Sequence, residues 1–287
     1  MRTIFLGIKL LISFATIELK RPSYLGSRPN SLRELKKEFK ELVMGSLVLS
    51  CFIRVAKSFI HFATTRKQQE ELIYLFFSMT KLIEKGFGDK KNPIVLTLES
   101  FPDIITLRNN SHNDILISEL QDTVRRIKKL ASNNQHYSSF ESNVIKTWST
   151  HRVRDVKQTG GRTISFDEAL KAAEDRGGFY FLALVYLLNP MGLDENSERL
   201  VLLSGAWFQI IDDYDDRKID VDNRNTSFTV SSGGSHKEIR KKYMAKYQKE
   251  IRATISSRTH GLVIFFRGLT GLVTIKPIIL GEKSDWH

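Results

Sequence analysis

The sequence predicts an all-α fold, and three observations carry that expectation. Apolar residues recur at helical spacing through nearly the whole chain. Ser-x-x-Glu/Asp start signals stand before three of these runs, at Ser31, Ser111 and Ser165. With six prolines and few Thr-Val-Gly strand patterns in 287 residues, a sandwich or barrel is not expected. The elements follow one another without a long linker or an internal repeat, so a single domain over residues 1–287 is expected. It would open with an apolar helix and loop at 1–30 and close with a basic helix and an apolar segment at 231–287.

Taken in order, Ile4 to Ile17 is apolar but short, and Lys9 interrupts it. A spanning helix needs roughly 20 apolar residues, so a helix that is mostly buried or lies on a membrane surface is expected. Ser31 and Glu34 form a capping box ahead of Leu32, Leu35, Phe39, Leu42 and Val43. A helix is expected from about Arg66 to Lys85, stopped by Gly86 and Gly88. Residues 87–110, with Pro93, Pro102 and Asn109-Asn110, read as irregular. Ser111 to Asp114 caps a helix carrying Leu116, Leu120, Val124 and Ile127. Residues 132–163 are polar and read as partly loop. Ser165 and Glu168 open a helix that runs to Leu188 and stops at Asn189-Pro190. The next helix runs from about Asp194 through Asp220, followed by a polar loop from Thr226 to Ser235. Lys237 to Ile255 is basic and amphipathic, with Ile239, Tyr243, Tyr247 and Ile251 facing inward.

The net charge of +12 is unevenly spread. Residues 1–40 hold nine basic and three acidic groups, and 231–258 hold eight and two, around a neutral middle. Such ends suit an anionic membrane, a phosphorylated substrate or solvated helix faces. The single cysteine, Cys51, excludes a disulfide framework and a thiolate zinc site. Leu262 to Leu280 is apolar but broken by Arg267, Lys276 and Pro277. A soluble, cytoplasmic protein is expected, with peripheral membrane contact as a further partner. A nucleic-acid binder using Lys237 to Arg258 is disfavoured by the acidic cluster in the neutral middle.

That cluster is the stretch Phe208-Gln209-Ile210-Ile211-Asp212-Asp213-Tyr214-Asp215-Asp216-Arg217-Lys218-Ile219-Asp220-Val221-Asp222. Aspartates are poor helix formers and repel one another. Here they end a strongly apolar helix, Leu200 to Ile211. Asp212, Asp216 and Asp220 are spaced i, i+4, i+8, with Asp213 near the same face. Oxygen-only ligands in such a row suit a hard cation, Mg²⁺ or Mn²⁺. The other reading is a solvated acidic helix end balanced by Arg217 and Lys218.

The run Phe-Gln-Ile-Ile-Asp-Asp-x-x-Asp resembles the second aspartate-rich motif of the all-α isoprenyl diphosphate synthases. The wider stretch from Asp213 to Asn225-Thr226-Ser227-Phe228, with Glu168, Ala172, Ala173, Gly177 and Gly178 upstream, resembles tetraprenyl-β-curcumene synthase-like large-terpene cyclases. The resemblance covers about residues 165–230 well and the rest loosely. It implies an antiparallel bundle of the class I terpenoid synthase type. It also implies a Mg²⁺-dependent site that ionises a long-chain allylic isoprenyl diphosphate, in a terpene cyclase or a prenyl transferase. Asp212, Asp213, Asp216 and Asp220 would then hold metal, and Arg176 and Arg224 would hold diphosphate. Phe179, Tyr180, Phe181, Tyr186, Trp207 and Phe208 would line a hydrocarbon pocket or form plain core.

The family's first aspartate motif departs from pattern. Its place is Tyr74 to Lys90, where Glu84 and Asp89 are the remaining candidate ligands and Lys81 and Lys85 add positive charge. A non-catalytic homologue that binds isoprenoid diphosphate is therefore the alternative. The seven histidines show no ligand-like spacing, and His61 reads as a core residue. Gly160-Gly161 is a weak phosphate-loop candidate, because no strand precedes it.

Overall fold

A computed structural model describes residues 45–60, 62, 64–87, 95–108, 114–159, 165–215, 236–254 and 261–269. All regular structure among them is helical, so the all-α expectation holds. The helices are α1 (45–56), α2 (Arg66–Gly86), α3 (Phe101–Ile105), α4 (Ile115–Leu130) and α5 (Tyr137–Thr159). They continue with α6 (Phe166–Leu188), α7 (Glu195–Asp215), α8 (His236–Thr254) and α9 (261–269). Among the described residues no helix is long and apolar enough to cross a membrane. The expectations for Ile4–Ile17, Ser31–Glu34, His61, Gly160-Gly161 and the loop Thr226–Ser235 fall outside the described residues.

The chain forms two compact units. Among the described residues, the first holds 45–54, 62–141 and 186–192, and the second holds 55–60, 142–185 and everything from 193 on.

In the first unit α2 packs on α4. The Thr65 hydroxyl accepts from Gln68 N–H to start α2, and the Gln68 carboxamide donates to the Leu130 carbonyl at 2.7 Å. That second bond closes the C-terminal end of α4, whose last carbonyls lack helical donors. Ile117, Leu120, Val124 and Ile127 place one apolar stripe of α4 inward, all at or below 5% exposure. The cap of α4 is Asp114, whose carboxylate accepts from Leu116 and Ile117 N–H; Ser111, the expected cap, lies outside the described residues.

Residues 87–110, which read as irregular, and 132–163, which read as partly loop, both contain helix. Phe101–Ile105 is a single short helix because Phe101, Ile104 and Ile105 all bury completely, Phe101 edge-on to Phe87. Leu107, at φ 58°, takes the left-handed conformation just beyond its end. The polar stretch from 132 holds the 23-residue helix α5. Phe140, Val144 and Trp148 give it an inward stripe at i, i+4, i+8. Asn143 and Thr147 are buried among them, with the Thr147 hydroxyl donating back to the Asn143 carbonyl at 2.8 Å.

In the second unit α6 opens with the expected capping box. Ser165 N–H donates to the Glu168 carboxylate at 3.1 Å, and Glu168 N–H donates back to the Ser165 hydroxyl at 3.3 Å. The Asp194 carboxylate accepts from Ser197 N–H at 2.8 Å to start α7, and that bond holds the acid below its ordinary pKa. Helices α6 and α7 run antiparallel and touch backbone to backbone. A Cβ on Gly177 would stand 2.2 Å from the Gly205 carbonyl oxygen, and one on Gly205 would stand 2.0 Å from that of Gly177. Trp207 of α7 is fully buried between the rings of Tyr247 of α8, at 6.3 Å, and Phe266 of α9, at 5.2 Å. Tyr243, Tyr247 and Ile251 face inward as expected; the side chain of Ile239 lies outside the described residues.

Adding a methyl group at the crossing forces the two helices apart. Gly177→Ala should lower stability by about 1–3 kcal/mol, the usual cost of overpacking. Gly268→Ala on α9, where a Cβ meets nothing within 4 Å, should be neutral or stabilising by up to about 1 kcal/mol. Equal urea midpoints for the two variants would contradict the close approach.

Candidate functional site

The helix crossing sets the register of α6 against α7. Gln209 lies against Gly177, since a Cβ there would meet the Gln209 Cβ at 2.6 Å. One turn further along α7, Asp213 meets Arg176, the residue before Gly177. An Arg176 Nη2 hydrogen is donated to Asp213 Oδ1 at 3.2 Å, with side chains only 19% and 6% exposed. Gln209 Nε2 donates to the same Oδ1 at 2.7 Å and to Asp212 Oδ2 at 3.3 Å. Two donors thus compensate a carboxylate buried at the end of an apolar helix, where a lone charge is strongly disfavoured. Asp212 turns outward and is exposed.

The acidic neighbours of Arg176 are engaged elsewhere on α6 and α8. Lys171 donates to Asp175 at 2.6 Å. Lys246 and the Tyr247 hydroxyl of α8 both donate to Glu174 Oε1, each at 2.6 Å. Burial first, and then the Glu174 charge, push the Tyr247 phenol far above its ordinary pKa. Glu174, Tyr247 and Lys246 hold α8 onto α6; the spacing predicts that Tyr247 faces inward but not that it meets Glu174, because a contact 73 residues apart leaves no local pattern.

The structure therefore brings together Arg176, Asp212 and Asp213, with Gln209 bridging the two aspartates. Asp212 fits a hard cation by its oxygen donors and exposure. Asp213, expected among the metal ligands, is the anion that faces Arg176. Glu84 lies in the first unit on α2, exposed and paired with Lys81 at 2.9 Å. Asp89, Asp216, Asp220 and Arg224 lie outside the described residues. Among the described residues no group of three His, Cys, Asp or Glu side chains is placed to hold a metal ion.

The aromatic candidates divide. Phe181 and Trp207 are fully buried, and Phe181 packs on Phe208 at 5.2 Å and on Tyr180 at 6.1 Å. Phe179 lies under Lys146, whose ammonium is 5.5 Å from its ring centre. Tyr186 belongs to the first unit, beside His136.

In comparisons with known proteins, no family model, no curated protein and no solved structure matches the chain.

Removing Arg176 strands a buried carboxylate. Arg176→Ala should cost about 3 kcal/mol, the low end for a buried pair because the guanidinium is partly exposed. Adding Asp213→Ala to it should restore at least about 1 kcal/mol, the coupling expected of side chains in direct contact. Strict additivity in a urea double-mutant cycle would contradict a direct pair. The Tyr247 phenol predicts an alkaline limit. Its pKa is raised in the folded state, so its stabilising contribution is complete below about pH 10, the unfolded value, and is lost as pH rises towards the folded value. The melting temperature should fall above about pH 10, and less steeply in Tyr247→Phe. Equal slopes would place the alkaline sensitivity elsewhere.

Proposed function

We propose that the chain is a class I terpenoid synthase, a Mg²⁺-dependent enzyme that ionises a long-chain allylic isoprenyl diphosphate as a terpene cyclase or prenyl transferase. The observation that carries this reading is the Arg176–Asp213 pair, buried at the end of apolar α7 with Asp212 exposed beside it. A guanidinium held there by a carboxylate, at the end of an apolar helix, is suited to receive the anionic end of a lipid-like substrate. The resemblance of residues 165–230 to such enzymes supports the same reading, as does the all-helical architecture.

In this reading Arg176 binds the diphosphate and keeps its orientation through Asp213 and Gln209. Asp212, with Asp216 and Asp220 in the same sequence row, would hold Mg²⁺ or Mn²⁺. Bound metal supplies charge compensation for the departing diphosphate. The allylic carbon–oxygen bond breaks with its electron pair leaving on oxygen, and pyrophosphate is released. Apolar side chains around the allylic cation exclude water until it loses a proton or is captured by a second alkene. Arg224, further along the sequence, is a second candidate for the diphosphate.

One observation favours the second reading, a non-catalytic homologue that binds isoprenoid diphosphate. At Tyr74 to Lys90, where the resemblance puts the family's first metal motif, Glu84 is paired with Lys81 at 2.9 Å. Pyrophosphate release from geranyl, farnesyl, geranylgeranyl and geranylfarnesyl diphosphates separates the two: release supports catalysis, and binding without release supports the homologue.

Both readings share one prediction. Pyrophosphate with Mg²⁺ at a hundred times its dissociation constant should stabilise the protein by about 2.7 kcal/mol. The resulting rise in melting temperature should disappear in Asp212→Asn and in Asp216→Asn, while the metal-free variants stay at least as stable as the parent. No rise in the parent would leave the row as a surface acidic patch.

A further inference from the structure

Helix α9 is apolar on both faces. Leu262, Val263 and Phe266 are buried at 0–1% exposure. On the outward face Ile264 is 57% exposed and Phe265 is half-buried, edge-on to Phe266, with the exposed Gly261 and Gly268 one turn to either side. Apolar side chains on both faces of a helix normally call for cover on both. What lies beside it is cationic. Arg267, exposed one turn from Ile264, donates to Gln248 of α8 at 2.8 Å and so joins the two helices. Gln248 is followed on the same flank of α8 by Arg252, and Lys242 and Lys249 continue an exposed ridge at i and i+7. Lys246, between them, is held by Glu174. The exposed residues of α8 and α9 therefore combine a basic ridge on one helix with an apolar stripe on the other, and the Arg267–Gln248 bond joins the two helices.

We propose that this face docks on an anionic lipid bilayer surface, with Ile264 and Phe265 entering the headgroup boundary and Lys242, Lys249, Arg252 and Arg267 meeting lipid phosphates. Two features select this occupant. A polyanion such as nucleic acid satisfies the ridge but gives an exposed isoleucine nothing to enter, whereas a lipid surface satisfies both. Neither α8 nor α9 is long and apolar enough to cross the bilayer, so the contact is peripheral. The inference is independent of the diphosphate reading, since none of these residues belongs to that site.

The test is co-sedimentation of the full chain with vesicles of phosphatidylcholine alone or with about a third phosphatidylserine. Binding should require the anionic lipid and weaken with salt. Each basic residue contributes about fivefold to the partition constant, equivalent to ~1 kcal/mol near such a surface. Lys249→Glu with Arg252→Glu should therefore reduce binding by at least about 25-fold. Ile264→Asp should also reduce binding several-fold while leaving the melting temperature unchanged, because the side chain is exposed. Equal binding to both vesicle types, or none to either, would overturn the proposal. So would vesicle binding indifferent to Ile264→Asp, with oligonucleotide binding of equal strength, which would identify a general polyanion surface. Self-association abolished by Ile264→Asp, without vesicle binding, would identify a second copy of the chain as the occupant and overturn it equally.

Discussion

Two helices can meet at their backbones only where neither presents a side chain, and Gly177 and Gly205 provide that gap between α6 and α7. Much of the second unit depends on this contact. It fixes the register of an antiparallel pair, so residues that leave the crossing on opposite strands of the hairpin are forced to meet. Arg176 arrives beside Asp213, and Gln209 lies against the glycine itself with its carboxamide turned onto both aspartates. A looser crossing would separate the guanidinium from the carboxylate by more than a hydrogen bond, leaving a buried charge without compensation.

The same pair of helices carries the rest of the unit outward. Trp207, buried on α7, receives Tyr247 and Phe266 on its ring, and Glu174 on α6 receives the Tyr247 hydroxyl and the Lys246 ammonium. Apolar stacking and a charge-assisted bond thus act on adjacent residues of α8. The polar contact turns the helix so that Tyr243 and Tyr247 face in while Lys242 and Lys249 are exposed. A basic amphipathic helix is ambiguous in isolation, since it could lie on a partner, a membrane or nothing. Here its inner face packs on α6 and α7, and Lys242, Lys249 and Arg252 are exposed on the other side.

Features encoded over a few residues were legible in the sequence. The Ser165–Glu168 capping box was readable because both reciprocal bonds are made within one turn. The inward stripe Tyr243, Tyr247 and Ile251 was readable from its spacing. Helix α5 was not, because Asn143 and Thr147 are buried beside Phe140 and Val144 and disguise the apolar face. The five-residue helix at Phe101 was too short to display a period. In the candidate site, the aspartates announced themselves by crowding, and Arg176 by its place on the preceding helix. What spacing alone could not show is that Asp212 and Asp213 face different ways, one exposed and one buried against Arg176. That division is set by a helix 37 residues away, through a glycine contact that no local pattern reveals.

The central claim is that Arg176 and the aspartate row receive a diphosphate. A crystal structure of the protein with Mg²⁺ and pyrophosphate tests it most directly. The diphosphate should bind with the Arg176 guanidinium on its oxygens, Asp213 still behind the arginine, and Asp212 on the metal. Pyrophosphate absent at saturating concentration, or seated away from α7 with Arg176 and Asp213 undisturbed, would contradict it.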